Sequence, residues 1–163
     1  MAVAKREQVS QYLFPLWVWH RLDAARSEHS KLVLQDGKKA PSTEVDHLVA
    51  ARAWERLLEP LVNEEREEYA ATANDLGNCW LMDKNFNISK SDGSLEAFLK
   101  KVEQFKSGEI TLEAFGKILD ITNPLFNPMR AGVIAVRNAI ESRTRSIKEE
   151  LKDFVRGQIV PVS

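Results

Sequence analysis

Cysteine is nearly absent. Cys79 stands alone among 163 residues, which excludes an intramolecular disulfide framework and a cysteine-rich zinc knuckle, and fits a reducing, cytoplasmic setting. Long apolar runs are missing too: no 18 consecutive apolar residues occur, so no segment reads as a membrane span. The first ten residues, MAVAKREQVS, lack the apolar core of a secretory signal. Internal repeats and low-complexity tracts are absent. An excess of charge of one sign is absent as well: 23 Lys and Arg against 24 Asp and Glu leave a formal net charge of −1. That counts against a protein that coats nucleic acid by bulk positive charge.

What is present is a chain that is 44% hydrophobic and 29% charged, long enough to bury one core without covalent staples. Its charge is unevenly spread. Residues 1–40 carry a net +3, residues 41–75 a net −6 and residues 121–163 a net +3. Neutrality is thus an average over basic ends and an acidic centre.

The patterning predicts a mainly helical domain with a small two-stranded element. A helix is expected over 7–26, with Leu13, Leu16, Trp17 and His20 on one face and Pro15 early in it. A short strand at 31–35 precedes the Asp36-Gly37 turn. Residues 44–49 read as extended, 50–69 as a charged helical stretch interrupted near Pro60, and 79–82 as a short apolar strand. Ser94 is the expected N-cap of one amphipathic helix over 94–105, with Leu95, Phe98, Leu99, Val102 and Phe105 on its apolar face. A short helix follows at 111–119, then a loop marked by Asn123-Pro124 and Asn127-Pro128. A long terminal helix is expected from Arg130 to Phe154, burying Val133, Ile140, Ile147, Leu151 and Phe154.

The chemistry-bearing residues cluster in the middle. Asp46 and His47 end one short strand, Asn78 enters the second, and Asn87 and Lys90 follow. Neighbours on a strand point to opposite faces, so a bend is needed for Asp46 and His47 to serve one reacting centre. Metal-assisted phosphodiester hydrolysis has use for this set. Asp46 and Asn87 supply hard oxygen donors for one Mg2+ or Mn2+. His47 can act as general base on water near neutral pH. Asn78 can fix the imidazole tautomer by accepting from its ring N–H. Taken singly, each has a plainer reading: Asp46-His47 as a hydrogen-bonded surface pair, Asn78 as a turn residue, Asn87 and Lys90 as parts of a solvated loop.

Together, the runs Glu44-Val45-Asp46-His47-Leu48-Val49, Asn74-Asp75-Leu76-Gly77-Asn78-Cys79-Trp80-Leu81-Met82 and Asn85-Phe86-Asn87-Ile88-Ser89-Lys90-Ser91 resemble the HNH (ββα-metal) nuclease superfamily. Within it the likeness is to the His-Asn-Asn branch, which forms the C-terminal nuclease domain of GmrSD-type modification-dependent restriction proteins and related phage-defence nucleases. The likeness is strong over about residues 43–99. A weaker one reaches about 155 through Ile140-Glu141-Ser142-Arg143-Thr144. It implies a ββα-metal core at about 43–106 embedded in helices, the helix at 7–26 and those at 111–156 packing around it. It implies His47 as general base, Asn78 as the residue orienting it, Asp46 and Asn87 as metal ligands, and Lys90 near the phosphate. Many members have a proline soon after the histidine, where this chain has Val49-Ala50-Ala51.

Other features fill in the expectation. Trp17, Trp19, Trp54 and Trp80 read as core, His20 as a core or boundary residue, His29 as solvated and Cys79 as a small buried hydrophobe. The run Glu64-Glu65-Arg66-Glu67-Glu68 reads as a solvated face. Arg130 and Arg137, seven apart and so on one helix face, are the expected phosphate-contacting residues, with Arg143, Arg145, Lys148, Lys152 and Arg156 beside them. The function expected is a metal-dependent DNA endonuclease serving restriction or phage defence, this chain being the cutting part of a longer protein or the partner of a sensing, nucleotide-hydrolysing domain. The competing expectations are a non-catalytic helical interaction or DNA-binding module on the same scaffold and, more weakly, a nuclease of RNA.

Overall fold

The computed structural model describes residues 43–83, 90 and 93–158. The expected helix at 7–26, the strand at 31–35 and Asn87 lie outside them. Within the described residues the architecture is mainly helical around one antiparallel pair of strands, β1 (Thr43–His47) and β2 (Cys79–Asp83). The register sets Asp46 opposite Trp80 and His47 opposite Cys79. Because side chains alternate along a strand, Asp46 and Trp80 share one face while His47 and Cys79 share the other. The extended stretch expected at 44–49 is shorter at its end: Leu48 and Val49 leave the ladder and turn into the core.

The strands are joined by helices α1 (Ala51–Leu58) and α2 (Asn63–Thr72) and a single 3-10 turn, Leu76–Asn78. Pro60 separates the helices as expected, since it lacks an N–H and its ring clashes with the preceding turn. Helix α1 is amphipathic and buries Ala53, Trp54, Leu57 and Leu58. Helix α2 buries only Thr72 and carries Glu64 and Glu65 in its first turn, where the helix dipole favours negative charge.

Beyond β2 the structure departs from the expected long helices. The stretch expected as one helix over 94–105 is broken into α3 (Leu95–Leu99) and α4 (Glu103–Lys106). Tight bonds from Lys101 N–H to Phe98 and from Val102 N–H to Leu99 close the first helix while still burying Leu95, Phe98, Leu99 and Val102. Ser94 caps α3 by accepting from Ala97 N–H, and Thr111 caps α5 (Leu112–Leu119) in the same way from Ala114 N–H. The expected loop at 123–128 instead forms two single-turn helices, α6 (Asn123–Phe126) and α7 (Pro128–Ala131), each with proline in its first turn, where the missing N–H costs nothing.

The terminal helix α8 runs Val133–Gln158 and does not include Arg130. Gly132, at φ +86°, breaks it from α7. Arg130 and Arg137 therefore do not lie on one helix face. Among the described side chains α8 buries Val136, Ile140, Arg143 and Ile147, and Val133 is partly covered and packs against the core; the expected Leu151 and Phe154 side chains lie outside the described ones.

One core collects Trp54, Trp80, Leu95, Leu99, Phe115, Leu125 and Ile140, each at most 1% exposed. The Trp80 and Phe115 rings meet edge to face at 6.3 Å, and Phe105 meets Phe115 at 5.4 Å. Full burial of side chains of this kind contributes about 1.5–3 kcal/mol each, so the core dominates the stability of the hairpin beside it. Trp54, Trp80 and Cys79 are buried as expected. No helix among the described residues is long and apolar enough to cross a membrane.

Candidate active site

The end of β1 is buried although it is polar. Asp46, His47, Asn78, Lys90 and Arg143 are each at most 5% exposed, and buried polar groups must find partners within the protein. Their partners define the site.

Asp46 lies on the Trp80 face of the hairpin. Its Oδ2 accepts from the Trp80 indole N–H at 3.2 Å and is 2.9 Å from the Lys90 ammonium. Lys90 also donates to the His47 main-chain carbonyl at 2.9 Å, and its side chain is 0% exposed. The ammonium, expected near the phosphate, lies against Asp46 and the His47 carbonyl, where it ties Lys90 to the end of β1. A buried ion pair is weak evidence for net stability, because desolvation offsets the attraction. Its effect here is to set the position of a carboxylate.

Asn78 closes the other side. Leu48 N–H donates to the Asn78 carbonyl at 2.8 Å. Val49 N–H donates to Asn78 Oδ1 at 2.9 Å, while Nδ2 donates to Val49 O at 3.2 Å and Ala73 O at 2.8 Å. A side-chain amide carries the same donor and acceptor as a peptide group, so Asn78 extends the ladder past His47 as a substitute peptide. The described contacts of its amide are to main chain, not to the His47 ring. Asn78 staples the segment that follows the histidine.

Arg143 holds the segment around Asn78. Its Nη1 donates to Gly77 O at 2.8 Å and Cys79 O at 2.7 Å, and its Nε to Leu119 O at 3.2 Å. The Thr144 hydroxyl accepts from Gly77 N–H at 2.8 Å. Gly77 lies so close to α8 that a Cβ there would overlap the Ile140 carbonyl and approach Thr144 Oγ1 to 2.6 Å. Arg143, expected among the phosphate-contacting cations, is instead a buried brace, because its position on the core stripe of α8 turns it inward. Its role is missed by composition; the one signal was the isoleucine-glutamate-x-arginine run.

The other cations divide. Arg137 is paired with Glu68 and Glu141, both at 2.9 Å, and lies 4.7 Å above the Tyr69 ring. Hydrogen bonds donated to Glu141, Tyr69 and Glu68 hold its guanidinium above its already high range. It links α8 to α2 and takes up one acid of the run expected to be solvated. Arg130 is exposed on α7. Burial raises the Asp75 carboxyl above the usual range, against the lowering pull of Lys148.

No cluster of three or more His, Cys, Asp or Glu side chains suited to a metal occurs among the described residues. Asn87, the second expected ligand, lies outside them. Asp46 Oδ1 accepts no hydrogen bond from any described residue. A surface depression of about 410 Å³ on the outer side of α1, lined by Arg52, Glu55, Arg56, Glu59 and Arg66, shares no residue with these contacts.

A family model described as GmrSD restriction endonucleases, C-terminal domain, matches residues 4–125. The chain belongs to that family. This places it among the nuclease domains of restriction endonucleases, whose substrate is DNA. The match extends the likeness read from the central motifs toward the first residues of the chain and ends before α8. No curated protein and no solved structure matches. In this GmrSD-type domain, His47 and Asp46 therefore stand at the end of β1 between two clamps, Asn78 with Arg143 on one side and Lys90 with Trp80 on the other.

Proposed function

We infer that the chain is a divalent-metal-dependent DNA endonuclease of the HNH type that hydrolyses phosphodiester bonds for a restriction or phage-defence system. The observation that carries this reading is the fixed end of β1: a buried Asp46-His47 pair, with the His47 carbonyl held by Lys90 and the main chain just after it, at Leu48 and Val49, held by Asn78. Rigid first contacts are what hydrolysis at a phosphate requires, since catalysis there is largely positioning and electrostatics.

His47 is the general base that takes a proton from the attacking water, a role suited to imidazole near neutral pH. Asp46, through Oδ1, and Asn87 are the residues that would hold one Mg2+ or Mn2+; Asp46 fits, because Oδ2 is already engaged while Oδ1 accepts from no described residue. The ion, when bound, supplies positive charge to the scissile phosphate and the leaving oxygen. Asn78 and Lys90 are positioning residues that fix the main chain at the base and just after it. Arg130 is the residue proposed to meet the DNA backbone. Arg137, ion-paired with Glu68 and Glu141, is the weaker of the two substrate-binding residues proposed. A formal net charge of −1 gives little bulk attraction to DNA, and its delivery falls to a sensing, nucleotide-hydrolysing domain or a partner protein.

The test is conversion of supercoiled plasmid with Mg2+ or Mn2+ by the wild-type chain, with any sensing partner supplied, and by His47→Ala. Cleavage by the first and none by a folded second is expected. Equal cutting by both removes His47 from the chemistry, and cutting by neither under all metals favours a non-catalytic module on the same scaffold.

A further inference from the structure

We propose that Trp80 and Lys90 are positioning residues that restrict Asp46 to offering a divalent ion one oxygen, Oδ1, and so select Mg2+ or Mn2+ over Ca2+. The inference rests on the metal-dependent reading above and adds the origin of its ion preference.

Three observations carry it. Oδ2 is held twice, by the Trp80 indole N–H at 3.2 Å and by the Lys90 ammonium at 2.9 Å. Both holders are themselves immobilised: Lys90 Nζ also donates to His47 O at 2.9 Å, and Trp80 is 1% exposed with its ring against the edge of Phe115. Oδ1, by contrast, accepts from no described residue. To chelate with both oxygens the carboxylate would have to turn Oδ2 away from an ammonium and an indole N–H. Both would then lose their carboxylate partner in a buried site.

The consequence follows from ion size. Ca2+ collects six to eight oxygens and readily takes a carboxylate by both, whereas Mg2+ keeps a near-octahedral shell with several waters and is satisfied by single oxygens. A carboxylate with one oxygen pinned suits the smaller ion. Such outer contacts orient the ligand and change metal affinity by about 10–100-fold when removed.

The experiment measures dissociation constants of Mn2+, Mg2+ and Ca2+ by titration calorimetry on the full chain. The proteins are wild type, Trp80→Phe, Lys90→Met and Asp46→Ala, each checked for folding by circular dichroism. Trp80→Phe keeps a ring in the core and removes the N–H. Lys90→Met also removes a positive charge, but that change acts on every dication alike and cancels in the Ca2+/Mn2+ ratio.

The wild type is expected to bind Mn2+ and Mg2+ more tightly than Ca2+. Trp80→Phe should weaken Mn2+ binding about tenfold and lower the Ca2+/Mn2+ ratio of dissociation constants several-fold, and a folded Lys90→Met should lower that ratio too. An unchanged ratio in folded Trp80→Phe overturns the proposal even if Asp46→Ala abolishes binding. If the wild type binds no divalent ion, or Asp46→Ala leaves binding intact, the metal reading itself fails and takes this inference with it.

Discussion

Asn78 and Val49 hold one another through both ends of a single amide. Val49 N–H reaches Oδ1 at 2.9 Å, and Nδ2 reaches Val49 O at 3.2 Å. The pair crosses 29 residues of sequence and sits one step beyond the last strand pairing, His47 with Cys79. The main chain after the histidine is thus as firmly held as the strand before it.

Replacement of Asn78 by aspartate tests that staple. Asn78→Asp keeps Oδ1 but turns a carboxylate oxygen toward Val49 O and Ala73 O in a site with 0% exposure. Each buried carbonyl that loses its donor costs about 1–3 kcal/mol, so unfolding free energy should fall by about 2–5 kcal/mol in urea titration. A loss below about 1 kcal/mol would mean that the staple is dispensable.

Three arginines of the C-terminal region should separate by experiment. Arg143→Met strands the carbonyls of Gly77, Cys79 and Leu119 and should cost about 3 kcal/mol or more. Arg137→Ala loses solvent-facing ion pairs and should leave the unfolding midpoint little changed. In DNA binding the order differs. Arg130→Ala should reduce the slope of log affinity against log salt by about 1, and Arg137→Ala by less. Equal slopes for Arg130→Ala and wild type would remove Arg130 from the DNA surface.

Asp75 gives a pH signature. Burial raises its folded-state pKa above the ordinary carboxylate value, so the folded chain binds the proton more tightly than the unfolded one. The ionised group therefore destabilises the fold at neutral pH, and the penalty is relieved as pH falls through the folded pKa toward the unfolded one. Asp75→Asn should unfold at a higher temperature than wild type at pH 7, with the advantage shrinking as the pH falls through the raised folded-state pKa toward the ordinary carboxylate value. An advantage that grows on acidification would contradict the assignment.

Much of this was legible in local sequence, and the remainder fails for identifiable reasons. Both strands, the break at Pro60, the cap Ser94 and the short helix at 111–119 are readable because each is decided within a few residues. The helix at 94–105 was not, because the apolar spacing survives the tight turn that divides it. The start of α8 was misplaced because Gly132 looked tolerable in a helix, whereas its φ of +86° ends one. At the site, the motif located Asp46, His47, Asn78 and Lys90, but not who touches whom. Lys90 and Arg143 looked like surface cations, and only tertiary packing makes them internal. Nothing in a string of residues announces that a lysine will sit under an aspartate 44 positions earlier.

The contacts of Gly77 show that the unit of folding is larger than the unit of family likeness. The family match ends at residue 125, yet Gly77, beside Asn78, docks against Ile140, Arg143 and Thr144, within the segment of weaker likeness. A polypeptide cut at the end of the family match would retain every residue proposed to bind metal or move a proton. It would also lose the strut that aligns them. A domain boundary drawn by resemblance would here divide the machine from its frame.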